Sequence, residues 1–447
     1  MAEPRAVHAG HMRFRALTRM TRLSAVPLSI AGRTAVAGSL KVFGRLTDES
    51  ALELHERTAD QLFEVLGGLK GGVMKFGQVL SVYETVLPPS VSAVYRERLA
   101  RLQDAAHPEG AEMVHRVMEA DLGPDWHDLF ASFDLDATAA ASLGQVHRAV
   151  WRDGRPVAVK IQYPDARAEL LGDRDAVILV MRWFTRAIAP ELDGRALAAE
   201  LMDRLAEELD YEREAEAQTA FRAGFLDDAD FLVPEVVRQS GRVLVSEWID
   251  GTPLAQVIAD GDRTQRDRAG LLLTRLLFAG IPRTGMMHGD PHPGNFRLMD
   301  DGRLGVLDFG AMYRAVPGTA GPMEKWMRIH LAEDGDELVR VLRELEFLRP
   351  GVRVDADRLM RLFEHSGAPA REELFRFDGA YLRETLGQMT ASMPVGLSLA
   401  FPPDMVHAQR AIGVGIGVLC QLEAEVPFRD EALRWLDVSQ FSGGDVT

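Results

Sequence analysis

Asp290 and Asn295 stand five residues apart in His288-Gly289-Asp290-Pro291-His292-Pro293-Gly294-Asn295-Phe296. Proline and glycine make this stretch a loop, not a regular helix. Eighteen residues beyond Asp290, the run Leu304-Gly305-Val306-Leu307 delivers Asp308 to its end, and Phe309-Gly310 follow. Gly310 lets the chain turn sharply there. Two carboxylates and an amide in this order suit phosphoryl transfer. One carboxylate orients or deprotonates a nucleophile, while the amide oxygen and the second carboxylate hold a divalent cation on nucleotide phosphates. Either half alone reads equally well as turn residues bonding to local backbone. Both halves in order and at this spacing favour chemistry. His288 and His292 raise the alternative of a metal site with Asp290 and Asp308, against histidines that hold the loop by hydrogen bonds.

Upstream, Val157-Ala158-Val159-Lys160 places a lysine on a strand that follows an Asp153-Gly154 turn and ends before Pro164. A strand lysine, then D-x-x-x-x-N, then D-F-G is the order found in protein kinases, where the lysine reaches nucleotide phosphates. A lone lysine on an apolar strand would otherwise read as an edge residue with its head in water. Where a glycine-rich loop would stand, residues 139–147 read Ala139-Ala140-Ala141-Ser142-Leu143-Gly144-Gln145-Val146-His147. Alanine lacks glycine's freedom at positive φ, so nucleotide contact should differ from that of an ordinary protein kinase.

These residues need strands and helices to position them. Residues 133–162 alternate as a β-hairpin leading into a further strand. Helical patterns occupy about 47–120, 166–189 and 195–225, the last two separated by Pro190 and Asp193-Gly194. Strands return at Leu232–Val237 and Val243–Trp248. After Gly251 the chain reads as largely helical, apart from a strand pair at Phe296–Leu298 and Leu304–Leu307. The class expected is α+β in two lobes, with a cleft near Ile249-Asp250-Gly251.

The 447 residues are 47% apolar and 26% charged, which excludes a wholly disordered chain. Net charge is −16, and eight basic residues against Glu3 give +7 within 1–46, leaving −23 on the remainder. That balance argues against nucleic acid as a partner. The basic stretch, with Arg13, Arg15, Arg19 and Arg22 among scattered apolar residues and Pro27 as an interruption, is either a loosely docked helix or a helix on anionic lipid. Cys420 is the sole cysteine, which excludes an internal disulfide and fits a reducing compartment. No apolar run reaches the ~18–20 residues that span a bilayer, and the start lacks a signal-peptide pattern. A cytoplasmic protein, peripheral at a membrane, is expected.

The chain resembles the AarF/UbiB-type atypical kinases of the protein-kinase-like superfamily over about residues 60–430. The marks are Lys75-Phe76-Gly77-Gln78 (K-x-G-Q), the alanine-rich Ala139–Ser142, Val157 to Pro164, Glu208 to Ala215, and the segment His288 to Asn295. The resemblance implies a bilobal kinase-like fold: a small β-sheet N-lobe, a helical C-lobe, and an N-terminal helical extension packed over the cleft. It divides the chain into a basic segment 1–46, an extension 47–125, an N-lobe 126–249 with a helical insertion 165–207, and a C-lobe 250–447. It implies Asp290 as catalytic aspartate, Lys160 as phosphate-contacting lysine with Glu214 as its helix partner, and Asn295 and Asp308 as ligands of Mg²⁺ or Mn²⁺. Nucleotide contacts, to ATP or ADP, are implied for Ala139, Ala140, Ala141, Ser142, Gly144, Val146, Ala158, Lys160, the hinge Glu247-Trp248-Ile249, Lys75 and Gln78. Glu208 and Asp210 match an E-x-D element that meets Lys75. A continuous helix would set Glu208 and Glu214 about 120° apart, compatible with two lysine partners. Four acids in that run would otherwise read as a solvated face.

The function implied is Mg-dependent phosphoryl transfer or ATP hydrolysis. The acceptor expected is a small molecule or lipid, quinone and isoprenoid included, because the extension would obstruct a peptide groove. Many relatives end in membrane-spanning helices, whereas this sequence closes at Phe441-Ser442-Gly443-Gly444, so integral membrane residence is not expected. The alternatives are a small-molecule kinase of the aminoglycoside or choline type and a non-catalytic, nucleotide-gated scaffold.

Overall fold

The computed structural model describes residues 108–436 except 142, 169, 173, 176–177, 180–181, 183–193, 317–320, 349–350, 392–398 and 400–402. By internal contacts the chain falls into two compact units, Met1–Tyr211 with Gln239–Val245, and Glu212–Arg238 with Ser246–Thr447.

From its N-terminal side the described chain runs through helix α1 (Ala111–Leu122), a 3-10 turn at Trp126–Leu129, and strands β1 (Phe130–Phe133), β2 (Ala139–Ala141), β3 (Gly144–Trp151) and β4 (Pro156–Gln162). Helices α2 (Gly194–Glu208) and α3 (Tyr211–Gly224) follow, then β5 (Phe231–Leu232), β6 (Val236–Ser240), β7 (Val243–Glu247) and β8 (Thr252–Pro253). One antiparallel sheet has the order β1-β3-β4-β7-β6, with β2 on β3. Alternation decides which side of β4 is dry: Val157, Val159 and Ile161 are fully buried, while Ala158 and Lys160 keep partial exposure on the other face. The β3–β4 turn works as its sequence suggests. Gly154 takes φ 92°, and the Asp153 carboxylate accepts from the Arg155 backbone N–H at 3.0 Å. Helix α1 is tied to the β6–β7 turn. The Asp121 carboxylate takes both Nε and Nη2 of Arg242 at 2.9 Å and the Arg242 N–H at 2.8 Å.

The expected helix over 195–225 is two helices. Helix α2 stops at Glu208, Asp210 is non-helical, and α3 starts at Tyr211. In an unbroken helix the Leu209 carbonyl would accept from the N–H four residues on. Here it accepts from Gln162 Nε2 of β4 at 3.2 Å. The 120° relation between Glu208 and Glu214 therefore does not apply.

The second unit is built on α4 (Leu254–Asp260) and the long α5 (Arg263–Thr284). Asp262 and Gln265 form a reciprocal capping box at the start of α5, and Gly285 ends it in the left-handed region at φ 70°. The rest comprises β9 (Met286–His288), β10 (Phe296–Leu298), β11 (Leu304–Val306), β12 (Met312–Arg314), α6 (Pro322–His330), α7 (Gly335–Glu344), α8 (Ala356–Glu364), α9 (Ala368–Arg371), β13 (Phe375–Arg376), α10 (Gly379–Ala391), α11 (Pro403–Leu422), β14 (Glu425–Val426) and α12 (Phe428–Trp435). Its core runs through Leu272, Leu276 and Phe278 of α5, Phe296 and Val306 of the hairpin, and Phe428 of α12. A separate cluster, including Leu338, Leu342, Phe347 and Leu359, lies under α7 and α8. The region after Gly251 holds more strand than expected. Besides the β10–β11 pair, β9 pairs with β12 and β13 with β14.

Candidate active site

Two ladders in the second unit fix the loops that carry Asp290, Asn295 and Asp308. In β10–β11, Phe296 faces Val306 and Leu298 faces Leu304, so the hairpin mouth falls at Asn295 and Leu307. The ladder extends one step further, Leu307 N–H donating to the Asn295 carbonyl at 3.0 Å. In β9–β12, His288 faces Met312, and Gly289 N–H donates to Ala311 O at 2.7 Å. Residues 289–295 and 307–311 are thus short loops pinned at both ends and lying side by side. A side chain at Gly289 is impossible without movement, since a Cβ there would sit 2.4 Å from the backbone carbonyl oxygen of Ala311.

Side chains then stitch the loops. Asn295 donates through Nδ2 to the Asp290 carbonyl at 2.9 Å, which turns its Oδ1 the other way. Asp308 Oδ1 accepts from the Gly310 N–H at 2.9 Å. His288 is buried, with Nδ1 accepting from the Asp290 N–H at 3.3 Å and Nε2 2.6 Å from the Asp308 carbonyl. That pair of partners selects the Nε2–H tautomer, which donates to Asp308. Burial lowers the His288 pKa, opposed by the charges of Asp290 and Asp308, so the ring is neutral at neutral pH. His292 is exposed and uses Nδ1 to cap the 3-10 turn at Gly294. Both histidines are loop supports. Among the described residues no group of three or more His, Cys, Asp or Glu side chains is placed to hold a metal ion. Phe309 is buried against Phe221 of α3, with ring centroids 5.6 Å apart. On the same helix Glu214 is 3% exposed, whereas Glu212 is exposed, so the acidic run is not a uniformly solvated face. Asn295 and Asp308 offer oxygen donors only, the set a hard divalent cation takes.

In the first unit the sheet register groups the other candidates. Ala139 faces Val146, and Val146 faces Lys160. These three therefore form a row across β2, β3 and β4 on one face, with Ala158 beside them. Ala141, Gly144 and Gln162 form the next row. Ala140 is opposite Gln145 and belongs to the other face, so the alanine-rich segment does not present all its side chains to Lys160. Gly144 has a packing reason of its own: a Cβ there would lie 2.3 Å from the Ile161 carbonyl oxygen. The Lys160 ammonium lies 5.1 Å from the centroid of the Tyr211 ring, a residue the sequence reading passed over. Glu208 closes α2 and the exposed Asp210 sits in the break after it.

At the hinge candidates, the Glu247 N–H donates to the Glu235 carbonyl, and the Glu247 carboxylate accepts from the Glu235 N–H, both at 2.9 Å. Trp248 Nε1 donates to Asp250 at 2.8 Å, and Ile249 is buried. Lys75, Gln78, Ser142 and the whole segment 1–46 lie outside the described residues.

The ABC1 atypical kinase-like domain matches residues 101–342, which contain both ladders, the strand lysine and the alanine-rich segment. The chain belongs to this family. Over 370 residues it is 33% identical to the mitochondrial atypical kinase coq-8 of Caenorhabditis elegans, covering 74% of this chain and 47% of that protein. It is 30% identical over 434 residues to the mitochondrial atypical kinase COQ8B of Rattus norvegicus, covering 92% and 79%. The chain spans about half the length of several of its curated relatives. Among solved structures it is similar to that of Rv3197 with erythromycin from Mycobacterium tuberculosis: TM-score 0.64, 38% identity, 87% of this chain and 98% of that one. The kinase-like α+β fold is thus established, as is membership of the atypical kinases. Among the described residues no helix is long and apolar enough to cross a membrane.

Proposed function

We propose that this ABC1-family chain binds a nucleotide with Mg²⁺ or Mn²⁺ and transfers its terminal phosphoryl group to a small-molecule or lipid acceptor, or to water. The observation that carries the reading is the double pinning of residues 289–295 and 307–311. It holds two carboxylates and an amide oxygen in fixed relation before any ligand binds, which is the preorganisation electrostatic catalysis requires. Asp290 orients the nucleophile. Asn295 and Asp308 hold the cation, which neutralises charge on the phosphates. Lys160 contacts the phosphates, and the buried Glu214 supports that lysine. His288, neutral and bonded to both loops, keeps Asp290 and Asp308 at fixed separation. ATP and ADP are the nucleotides proposed, with the alanine row beside Lys160 restraining closure over them. That a relative was solved with erythromycin supports a small organic molecule as acceptor over a peptide. The relatives coq-8 and COQ8B are named as atypical kinases, which supports phosphoryl transfer, with a quinone or isoprenoid among the acceptors proposed.

The decisive experiment is phosphate release from Mg-ATP by the purified protein, with and without anionic liposomes, beside Asp290→Asn. Turnover that disappears in the variant while nucleotide affinity persists is expected. Nucleotide binding without turnover in the parent, under both conditions, would replace this reading with a nucleotide-gated scaffold.

A further inference from the structure

Strand alternation puts one charged side chain on the same side as Asn295. In β10, Phe296 and Leu298 are buried and Arg297 between them is half-buried, so Arg297 points away from the core. The ladder continues through the Asn295 carbonyl. Asn295 therefore takes the side of Arg297, two residues and about 7 Å back along the strand. Arg297 stands opposite Pro253 of β8 and Gly305 of β11, and residues directly opposite in an antiparallel pair share a face. The hinge candidate Ile249 lies on that face too, because a Cβ on Gly305 would meet its Cγ2 at 3.0 Å. One face of this sheet thus carries Ile249, Arg297 beside it, and Asn295 further along the strand.

Arg297 is held at one point. Its Nη1 donates to the Gly251 carbonyl at 2.9 Å. Gly251 is itself pressed onto β10, where a Cβ would lie 2.8 Å from the Leu298 carbonyl oxygen. Thr252 faces Leu298, so Gly251 lies beyond Arg297 on the side away from Asn295. The guanidinium is therefore drawn from the cation-holding end toward the hinge end. Among the described residues it has no ion-pair partner. A guanidinium held by a bond in its own plane keeps its flat faces for stacking, which arginine does better than lysine. We propose that Arg297 is a nucleobase contact, its guanidinium stacking on the base of a nucleotide whose phosphates lie at Asn295 and Asp308. Stacking reads the face of a ring, which every base has. The ligands selected are then nucleoside di- and triphosphates over bare polyphosphate, with little choice among bases. This rests on the reading of Asn295 and Asp308 as the cation-holding pair.

The test titrates Mg-ADP and Mg-pyrophosphate into the full chain and its variants. Arg297→Ala should bind Mg-ADP about five- to tenfold more weakly than the parent, and Mg-pyrophosphate within about twofold of it. Arg297→Lys keeps the charge and a donor for the Gly251 carbonyl but lacks the planar face, so with Mg-ADP it should resemble Arg297→Ala. If Arg297→Lys binds Mg-ADP like the parent, Arg297 only ties the hinge end to the sheet and the proposal is overturned. If Arg297→Ala weakens both ligands alike, the guanidinium serves phosphate and the base contact is wrong. If the parent binds no Mg-ADP, or Asp308→Asn binds it as tightly as the parent, the cation-holding reading fails and the assignment falls with it. One readout needs no loss of affinity. The Nε–H NMR signal of Arg297, assigned by its loss in Arg297→Lys, should move with Mg-ADP through the ring current of the base and stay in place with Mg-pyrophosphate. A signal that ignores Mg-ADP, or moves alike with both ligands, overturns the proposal.

Discussion

Replacing Gly289 by alanine probes the pinned loops with a single methyl group. The added Cβ would lie 2.4 Å from the Ala311 carbonyl oxygen, where real contacts essentially never fall below 3.0 Å. The β9–β12 end of the loops must therefore open by at least the difference, about 0.6 Å, and the acceptor is backbone that cannot swing away like a side chain. Two effects follow. The 2.7 Å bond from Gly289 N–H to Ala311 O is stretched or lost, which costs about 1–3 kcal/mol for a poorly solvated pair. In a unit of this size that is a fall in melting temperature of about 2–4 °C per kcal/mol. The second effect is on geometry. Asp290 follows Gly289 directly, so it moves relative to Asp308, and a displacement approaching 1 Å can cost about 10²-fold in rate. Phosphate release from Mg-ATP should fall by one to two orders of magnitude, while Mg-ADP affinity changes less. Gly294→Ala is the internal control, because its Cβ would meet only the His292 ring, at 3.2 Å. It should melt and turn over close to the parent. A Gly289→Ala protein with parental turnover would refute the claim that the β9–β12 ladder sets the spacing of Asp290 and Asp308.

Three further outcomes are expected. Asp308→Asn should weaken Mg-nucleotide binding far more than binding of metal-free nucleotide, since only the former uses its charge; equal losses in both titrations would remove the metal role. Burial lowers the His330 pKa to about 4 from 6.5, so protons favour the unfolded chain between those values. Its stability contribution is full above pH 6.5 and falls by up to about 3 kcal/mol as pH drops toward 4. Urea melts of His330→Gln should show a flatter pH dependence there than the parent, and identical slopes would count against it. Deleting residues 1–46 should abolish salt-sensitive sedimentation with anionic vesicles and leave nucleotide binding intact, each basic residue contributing ~1 kcal/mol near the surface; unchanged sedimentation would rule that segment out.

The placement of the candidate residues is legible because it is written in local spacing. Asp290, Asn295 and Asp308 sit on short loops, and the Phe296–Leu298 and Leu304–Leu307 pair that brings them together is a hairpin with near neighbours in sequence. The strand position of Lys160 is legible through the alternation of Val157, Val159 and Ile161. What escaped depends on distant partners. Glu208-Leu209-Asp210-Tyr211 has a composition that helices accept, and the helix breaks where Gln162, 47 residues upstream, takes the Leu209 carbonyl. The Met286–His288 and Met312–Arg314 strands are too short for alternation to register, and a long interval of other structure separates them. A run of identical residues does not disclose that Ala139 and Ala140 face opposite sides of the sheet. Composition alone leaves Glu214 as one of four acids on a solvated face; only the family resemblance singles it out, and α3 buries it.

The closed loops also divide the region by its tolerance of extra length. An extra residue within 289–295 or 307–311 would have to bulge between two pinned ends, displacing Asp290, Asn295 or Asp308. The β10–β11 connection behaves in the opposite way. Asp300 and Asp301 are exposed at its tip, and the chain reverses through Gly302 at φ 83°. A peptide tag or fluorophore-bearing segment spliced between Asp300 and Asp301 would leave both ladders intact. Such a graft would carry a reporter on the same hairpin whose other end holds Asn295 and leads into Asp308, giving an optical handle on the site at the cost of no residue that serves it.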